Sequence, residues 1–169
     1  MTRMTLARSA VVILVAILMT ACSKNQPNNY GLGVGADGPI TPGSEREFSV
    51  KVGDTVHFST DSPELSAEAQ QTLSAQAQWL SRYPNYAISI EGHADERGTR
   101  EYNIALGAQR AAAVKQFLSA RGINPGRVRT MSYGRERPVA VCSDISCWSQ
   151  NRRAVTVLGR GSGNVAASY

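Results

Sequence analysis

Residues 87–131 constrain the fold most, because they contain strand, helix and strand patterns in unbroken succession. Residues 87–91 alternate small or apolar and polar side chains as a strand does. A helical spacing of apolar residues follows over about 101–120, and Gly122 is placed to end that helix. Residues 128–131 return to a strand pattern. Strands joined through such a crossover pair in parallel, so this segment predicts a sheet with some parallel pairing.

The flanking segments add two strands and a helix. Residues 48–52 and 56–58 alternate about a Gly53-Asp54 turn, which predicts a hairpin or a bent first strand. Apolar residues at helical spacing run from Leu65 to Leu80 and stop before Pro84. Residues 154–158 are β-branched enough for the interior of a sheet. Residues 46–158 therefore predict an α/β (α+β) two-layer sandwich, a mixed sheet with two main helices in β-α-β-α-β-β order.

The first 21 residues are typical of an export signal. Arg3 and Arg8 precede an apolar run over residues 10–19, and two small residues stand directly before Cys22. The run is shorter than the roughly 20 residues that cross a bilayer, so a retained membrane anchor is the weaker alternative. Residues 18–22 resemble a bacterial lipobox, in which the cysteine is acylated and becomes the new N-terminus. Ser23 then favours the outer membrane, by resemblance to the sorting rule of enteric bacteria.

Two segments lack apolar periodicity. Residues 22–45 are rich in Asn, Pro and Gly and predict a flexible linker behind the lipidated cysteine, with a typical reach of about 25–30 Å. Their glycine cluster is not a dinucleotide fingerprint, because no strand precedes it and no helix follows. Residues 159–169 are rich in Gly and Ala and predict a flexible tail.

Once Cys22 is assigned to lipidation, Cys142 and Cys147 remain as a pair. In an oxidising compartment such a pair predicts a disulfide. Half of a zinc site is the alternative, but His57 and His93 are isolated in the sequence and supply no second ligand pair. We expect no metal and no cofactor other than the covalent lipid.

The charge pattern argues against nucleic acid as a partner. The chain has 18 Lys and Arg against 13 Asp and Glu, and removing Arg3 and Arg8 leaves 16 against 13. The remaining arginines are scattered and often adjoin an acidic residue, whereas nucleic-acid binders gather basic residues on one face.

A motif follows the strand at residues 87–91. It includes Gly-His-Ala-Asp-Glu-Arg-Gly-Thr at 92–99, and continues through Asn103 to Arg110. With residues 132–134, Pro138 and residues 151–155, it resembles the OmpA-like peptidoglycan-binding family over about residues 54–158. The resemblance implies noncovalent binding to the diaminopimelate of the peptidoglycan peptide stem, and no enzymatic activity.

The same resemblance implies partners and a location. A lipid anchor in the outer membrane and a domain bound to peptidoglycan would tether membrane to wall from the periplasmic face. It also implies a place in the Tol system, which serves envelope integrity and cell division. A TolB-like β-propeller is then expected to compete for an overlapping surface, alongside other Tol proteins.

The spacing on the second helix predicts which side chains serve the site. At about 100° per residue, Asn103, Leu106 and Arg110 fall on one side, facing outward beside the Asp95 loop. The opposite, buried stripe is expected to contain Ile104, Ala108, Ala111, Lys115 and Leu118. By family resemblance, Asp95 accepts the ammonium of diaminopimelate and Arg110 holds its carboxylate. Asp61 and Arg153 would line the rim by analogy.

Several alternatives remain open. Asp95 and Arg110 could form a purely structural ion pair. Because adjacent strand residues face opposite sides, at most one of Arg152 and Arg153 enters the site, and we favour Arg153. His93, with neighbouring carboxylates, could instead serve a metal or acid–base catalysis, but no known catalytic motif accompanies it. A stator-type wall anchor would share the domain but requires a retained transmembrane helix.

Overall fold

A mixed four-stranded sheet organises the domain in this computed structural model, which describes residues 40–160. The strands are β1 (Thr55–His57), β2 (Tyr86–His93), β3 (Val128–Gly134) and β4 (Arg153–Arg160). The α-helices are α1 (Glu45–Glu47), α2 (Ala67–Arg82), α3 (Arg100–Ala120) and α4 (Ile145–Asn151). The order across the sheet is β1-β4-β2-β3, with β2 parallel to β3 and the other two pairings antiparallel. The predicted fold class and the parallel crossover are confirmed.

Local signals set the bounds of the two long helices. The side chain of Ser66 caps α2 by accepting from the backbone N–H of Ala69, and Thr99 caps α3 in the same way at Tyr102. Helix α2 ends before Pro84, as the sequence predicts. Gly122, after α3, has φ +89°, a left-handed conformation that glycine adopts without strain.

The hydrophobic core lies between the two long helices and one face of the sheet. Leu73 and Leu80 of α2, Ile90 of β2, and Val114 and Leu118 of α3 are completely buried. The opposite face of the sheet is more open, and Met131 and Val157 are exposed there. This asymmetry leaves the ends of the strands, rather than the helix-covered face, available for a site.

The predicted hairpin at residues 48–58 is wrong. Phe48–Gly53 is a π-helical segment that continues α1, and Thr55–His57 alone forms a strand. Tertiary contacts override the alternating pattern: Phe48 is buried with its ring 5.0 Å from that of Trp79. The Trp79 indole N–H donates to Glu47 at 3.0 Å, which fixes α1 against α2.

The predicted segment boundaries fall partly outside the described residues. The signal peptide, Cys22 and most of the linker precede residue 40, and most of the tail follows residue 160. Gly43, inside the predicted linker, already contacts the domain, because its carbonyl accepts a hydrogen bond from the Tyr86 hydroxyl at 2.7 Å. At the other end, strand β4 continues to Arg160, past the predicted end of the domain at residue 158. No helix among residues 40–160 is long and apolar enough to cross a membrane.

Candidate functional site

A pocket of about 280 Å³ lies where the loop after β2 meets the N-terminal half of α3. The loop after β1 closes its other side. Its lining residues are mostly polar or charged: Thr60, Asp61, Asp95, Arg97, Gly98, Tyr102, Asn103, Leu106, Arg110 and Arg152.

The structure brings five of the six predicted ligand-binding residues to this pocket. They are Asp61, Asp95, Asn103, Leu106 and Arg110. The sixth, Arg153, is not among the lining residues, and its neighbour Arg152 takes that place. Arg153 instead donates to the carbonyls of Asn151 and Arg137, at 3.5 and 3.2 Å. The preference for Arg153 is therefore wrong, because β4 begins at that residue and turns its side chain to the opposite side from Arg152.

Asp95 is a buried carboxylate held by two arginines. Arg97 donates to it through Nη2 at 2.7 Å, Nε at 3.2 Å and its backbone N–H at 3.1 Å. Arg152 adds a bond from Nη1 at 3.3 Å. Burial opposes ionisation, but these hydrogen bonds and the arginine charges outweigh it and lower the pKa of Asp95. The pocket therefore contains a stable anion at neutral pH.

Arg110 is completely buried beneath the pocket, with no exposed surface. Its guanidinium donates to three backbone carbonyls, those of Ser62, His93 and Ser59, at 3.0, 2.8 and 3.0 Å. Burial, followed by repulsion from Arg152, lowers its pKa to about 10, so Arg110 stays protonated at pH 7. Two of its five N–H groups make no hydrogen bond with residues 40–160.

The structural ion pair considered between Asp95 and Arg110 is absent among residues 40–160. The carboxylate of Asp95 pairs with Arg97 and Arg152, whereas Arg110 bonds to carbonyl groups. The two side chains share the pocket without neutralising each other directly.

The predicted orientation of α3 needs a correction. Asn103, Leu106 and Arg110 lie on the buried side of the helix and face the pocket from there. Within the predicted buried stripe, Ala111 and Leu118 are buried, Ile104 and Lys115 are partly exposed, and Ala108 is exposed. The predicted stripe follows mainly apolar residues, whereas Asn103 and Arg110 are buried because each finds backbone carbonyl partners.

Asp61 places a second carboxylate on the pocket wall. It has φ +56°, and its carboxylate accepts a hydrogen bond from the Tyr102 hydroxyl. Asn103 braces the same region by donating to the carbonyl of Arg97 at 2.8 Å. Leu106 contributes an apolar surface beside these polar groups.

His93 lies just outside the pocket. Its ring is almost fully buried, stacks on Tyr133 at 5.5 Å, and has no hydrogen-bond partner at either nitrogen within residues 40–160. Burial, with the charges of Arg153 and Arg137, lowers its pKa to about 4. His93 is therefore a neutral packing residue at pH 7. Among residues 40–160, no group of three His, Cys, Asp or Glu side chains is placed to hold a metal ion.

Helix α4, which the sequence did not predict, flanks the pocket. The predicted disulfide between Cys142 and Cys147 is confirmed and closes the loop at the start of this helix. Trp148 follows directly: its ring lies 4.2 Å below the guanidinium of Arg97, and its indole N–H donates to Glu96 at 3.0 Å.

Comparison with known proteins identifies the fold and the sequence group. Residues 57–160 match the OmpA family. The peptidoglycan-associated lipoprotein of Agrobacterium fabrum (strain C58) is 62% identical over 159 residues, which cover 91% of this chain and 90% of that protein. That of Brucella melitensis is 60% identical over 158 residues, covering 90% and 94%. The chain belongs to the OmpA family, in its group of peptidoglycan-associated lipoproteins.

Solved structures of the OmpA fold agree with this assignment. The crystal structure of the peptidoglycan-associated lipoprotein from Burkholderia pseudomallei has 42% identity and a TM-score of 0.61, over 63% of this chain and 90% of that one. The C-terminal domain of Helicobacter pylori MotB shares the fold at 22% identity and a TM-score of 0.60, over 64% and 86%.

Besides Thr60 and Gly98, sequence reasoning missed Arg97, Tyr102 and Arg152 of the lining of this OmpA-family pocket, and Trp148 at its border. Arg97 stands two positions after Asp95, and an Asx-type turn could have suggested its backbone contact. Tyr102 belongs to the quoted motif. Nothing local to Trp148 indicates its position, because it meets Arg97 from a separate helix.

Proposed function

We propose that this protein binds peptidoglycan noncovalently, at the diaminopimelate residue of the peptide stem. The observation that carries the proposal is the pairing, within one pocket, of an ionised Asp95 with a protonated Arg110 that retains two unused N–H groups. A ligand that fits must present a cation and an anion side by side. The free end of diaminopimelate does so, with an ammonium and a carboxylate on one carbon.

The pocket residues divide naturally between the two groups of that ligand. Asp95 accepts from the ammonium, and the remaining N–H groups of Arg110 donate to the carboxylate, where a planar fork outperforms a lysine. The N-terminal end of α3 adds a positive dipole on the side of the carboxylate. Leu106 contacts the methylene chain, and Asn103 and Asp61 complete the wall.

Lipidation of Cys22 would convert this binding into a tether. Acyl chains hold one end in the outer membrane, and the linker before the domain lets the pocket reach the wall. Linking two attachments raises the effective concentration of the second, so modest affinity at each pocket suffices. Family resemblance supports this arrangement on the periplasmic face of the outer membrane.

Partners in the envelope follow from the same resemblance. We propose that a TolB-like β-propeller and other Tol proteins bind this domain, with the propeller competing for the surface around the pocket. Exchange between wall and propeller would couple the tether to envelope integrity and cell division.

Binding without catalysis fits the pocket chemistry. Hydrogen bonds to Asp95 raise the pKa of Arg97 and the pKa of Arg110 is about 10, so neither acts as a base near neutrality; the lowered pKa of Asp95 makes that carboxylate a weak base. His93 makes no contribution to the lining. Incubation of sacculi with the protein should therefore release no muropeptides.

Co-sedimentation with purified diaminopimelate-containing sacculi tests the proposal. The full chain in detergent should sediment with them, and Asp95→Asn, which removes the charge and keeps the shape, should reduce bound protein at least about tenfold, as for a charge-assisted hydrogen bond. Glu101→Gln is the matched control, because Glu101 is an exposed carboxylate on the first turn of α3 outside the pocket lining. Equal retention of Asp95→Asn and wild type would refute the assignment of this pocket.

A further inference from the structure

Arg97 already pairs with the Asp95 carboxylate, to which the proposed function assigns the ligand ammonium. The carboxylate of Asp95 accepts at Oδ1 from Nε and the backbone N–H of Arg97, and at Oδ2 from Nη2 of Arg97 and Nη1 of Arg152. Both oxygens are therefore already engaged before a ligand arrives. An incoming ammonium must displace at least part of this network.

Arg97 is the displaceable member of the pair. Its side chain is 41% exposed, whereas that of Arg152 is 8% exposed and also bonds to the carbonyl of Phe58. Apart from Asp95, the guanidinium of Arg97 contacts two groups: it donates to the Thr60 hydroxyl at 3.5 Å, and it stacks on the face of Trp148. A swing into solvent would cost few buried contacts.

Trp148 contacts the face of the Arg97 guanidinium. The centre of the indole ring lies 4.2 Å from that guanidinium, whose Nε and Nη2 edge bonds to the Asp95 carboxylate. The indole is itself oriented by its hydrogen bond to Glu96, the residue before Arg97. It follows Cys147, which is buried and joined to Cys142, so the disulfide-closed loop restricts where the ring can lie.

We propose that Arg97 is an internal competitor for the ligand ammonium at Asp95, and that Trp148 is a positioning residue that sets how firmly this competitor is held. The inference rests on the proposed function and deepens it. Binding then replaces the Arg97 guanidinium by the ligand ammonium at Asp95, so the free energy needed to release Arg97 reduces the net free energy of binding. Affinity is therefore lower than the same pocket would give without Arg97.

If Arg97 competes with the ligand, removing Arg97 or its contact with Trp148 should strengthen binding. It should do so only for ligands that carry the competing ammonium. We would titrate the full chain in detergent with the tripeptide L-alanyl-γ-D-glutamyl-meso-diaminopimelate, by calorimetry. The comparison ligand contains 2-aminopimelate in its place, which keeps the terminal carboxylate and lacks the terminal ammonium.

Arg97→Gln and Trp148→Ala should each bind the diaminopimelate peptide about two- to fivefold more tightly than wild type, the range of an exposed ion pair or cation–π contact. Affinity for the 2-aminopimelate peptide should not rise. Trp148→Phe should behave as wild type, because a ring remains under the guanidinium. Arg121→Gln is the control, since Arg121 also stacks on an aromatic ring, that of Phe117, away from the pocket lining.

Each of the other possible results would refute one specific part of this proposal. Weaker binding of both peptides by Arg97→Gln would mean that Arg97 holds the ligand carboxylate, which refutes the competitor. Unchanged affinity in Trp148→Ala, which itself requires a folded domain, would refute the positioning role. A wild-type chain that binds neither peptide would refute the proposed function, and this inference with it.

Discussion

Gly92 of β2 and Gly107 of α3 contact each other through their backbones. A Cβ built on Gly92 would lie 1.8 Å from the carbonyl oxygen of Gly107, a distance that no side chain can occupy. The close approach presses α3 onto the end of β2, immediately before the Asp95 loop. The glycine pair therefore determines the separation between the loop and the helix that form the two sides of the pocket.

Gly92→Ala should separate these elements and destabilise the domain by about 3 kcal/mol, the upper part of the range for overpacking a core. The change would be measured as a fall in the free energy of unfolding in urea. Gly159→Ala is the control, because a Cβ there meets its nearest atom at 3.9 Å, an ordinary contact. Similar stabilities of the two variants would mean that β2 and α3 can move apart without cost.

Arg110→Lys should destabilise the fold as well as weaken binding. One ammonium cannot reach the carbonyls of Ser59, Ser62 and His93 together, so at least one buried acceptor loses its partner. We expect a loss of about 2 kcal/mol in unfolding free energy, with Arg121→Lys as an exposed control. A fully stable Arg110→Lys variant would show that water replaces the missing donors.

Acid should destabilise the protein through His93. Its pKa is lowered to about 4 in the folded state, against 6.5 as the ordinary value, so the unfolded chain binds more protons between these pH values. Glu91, whose carboxylate is 4.0 Å from Nε2, favours protonation, but burial and the charges of Arg153 and Arg137 prevail. The contribution is present above pH 6.5 and is lost as the pH falls toward 4, by up to about 3 kcal/mol.

Urea unfolding of wild type and His93→Phe at several pH values measures this contribution of His93 to the free energy of unfolding. The aromatic replacement keeps the stacking position on Tyr133 and cannot be protonated. Its stability should decline less than that of wild type between pH 7 and pH 4. Parallel declines in the two proteins would assign the acid sensitivity to other groups.

Reduction of the Cys142–Cys147 disulfide should lower stability by about 2 kcal/mol, the chain-entropy value for so short a loop. Thermal unfolding with and without dithiothreitol measures the effect. The double variant Cys142→Ser/Cys147→Ser should match reduced wild type and be insensitive to the reductant. If reduction leaves the unfolding temperature unchanged, the loop is held in place by its other contacts.

The sequence by itself determined the parts of the structure that depend on neighbouring residues. The strand–helix–strand order, the stop before Pro84 and the left-handed Gly122 follow from periodicity and backbone preferences over a few positions. The disulfide follows from two cysteines five positions apart. The motif from Gly92 to Arg110 likewise indicated the family and most of the pocket.

The tertiary structure alone decided the matters that depend on distant partners. Phe48 is helical because Trp79, far along the chain, provides its packing surface. Arg110 can be buried because carbonyls 48 and 51 residues away accept from it. Trp148 reaches the face of Arg97 from a separate helix, and Arg152 rather than Arg153 enters the pocket because of where β4 begins. Periodicity reports which residues are apolar, whereas the burial of a polar group depends on partners that only the folded chain brings within reach.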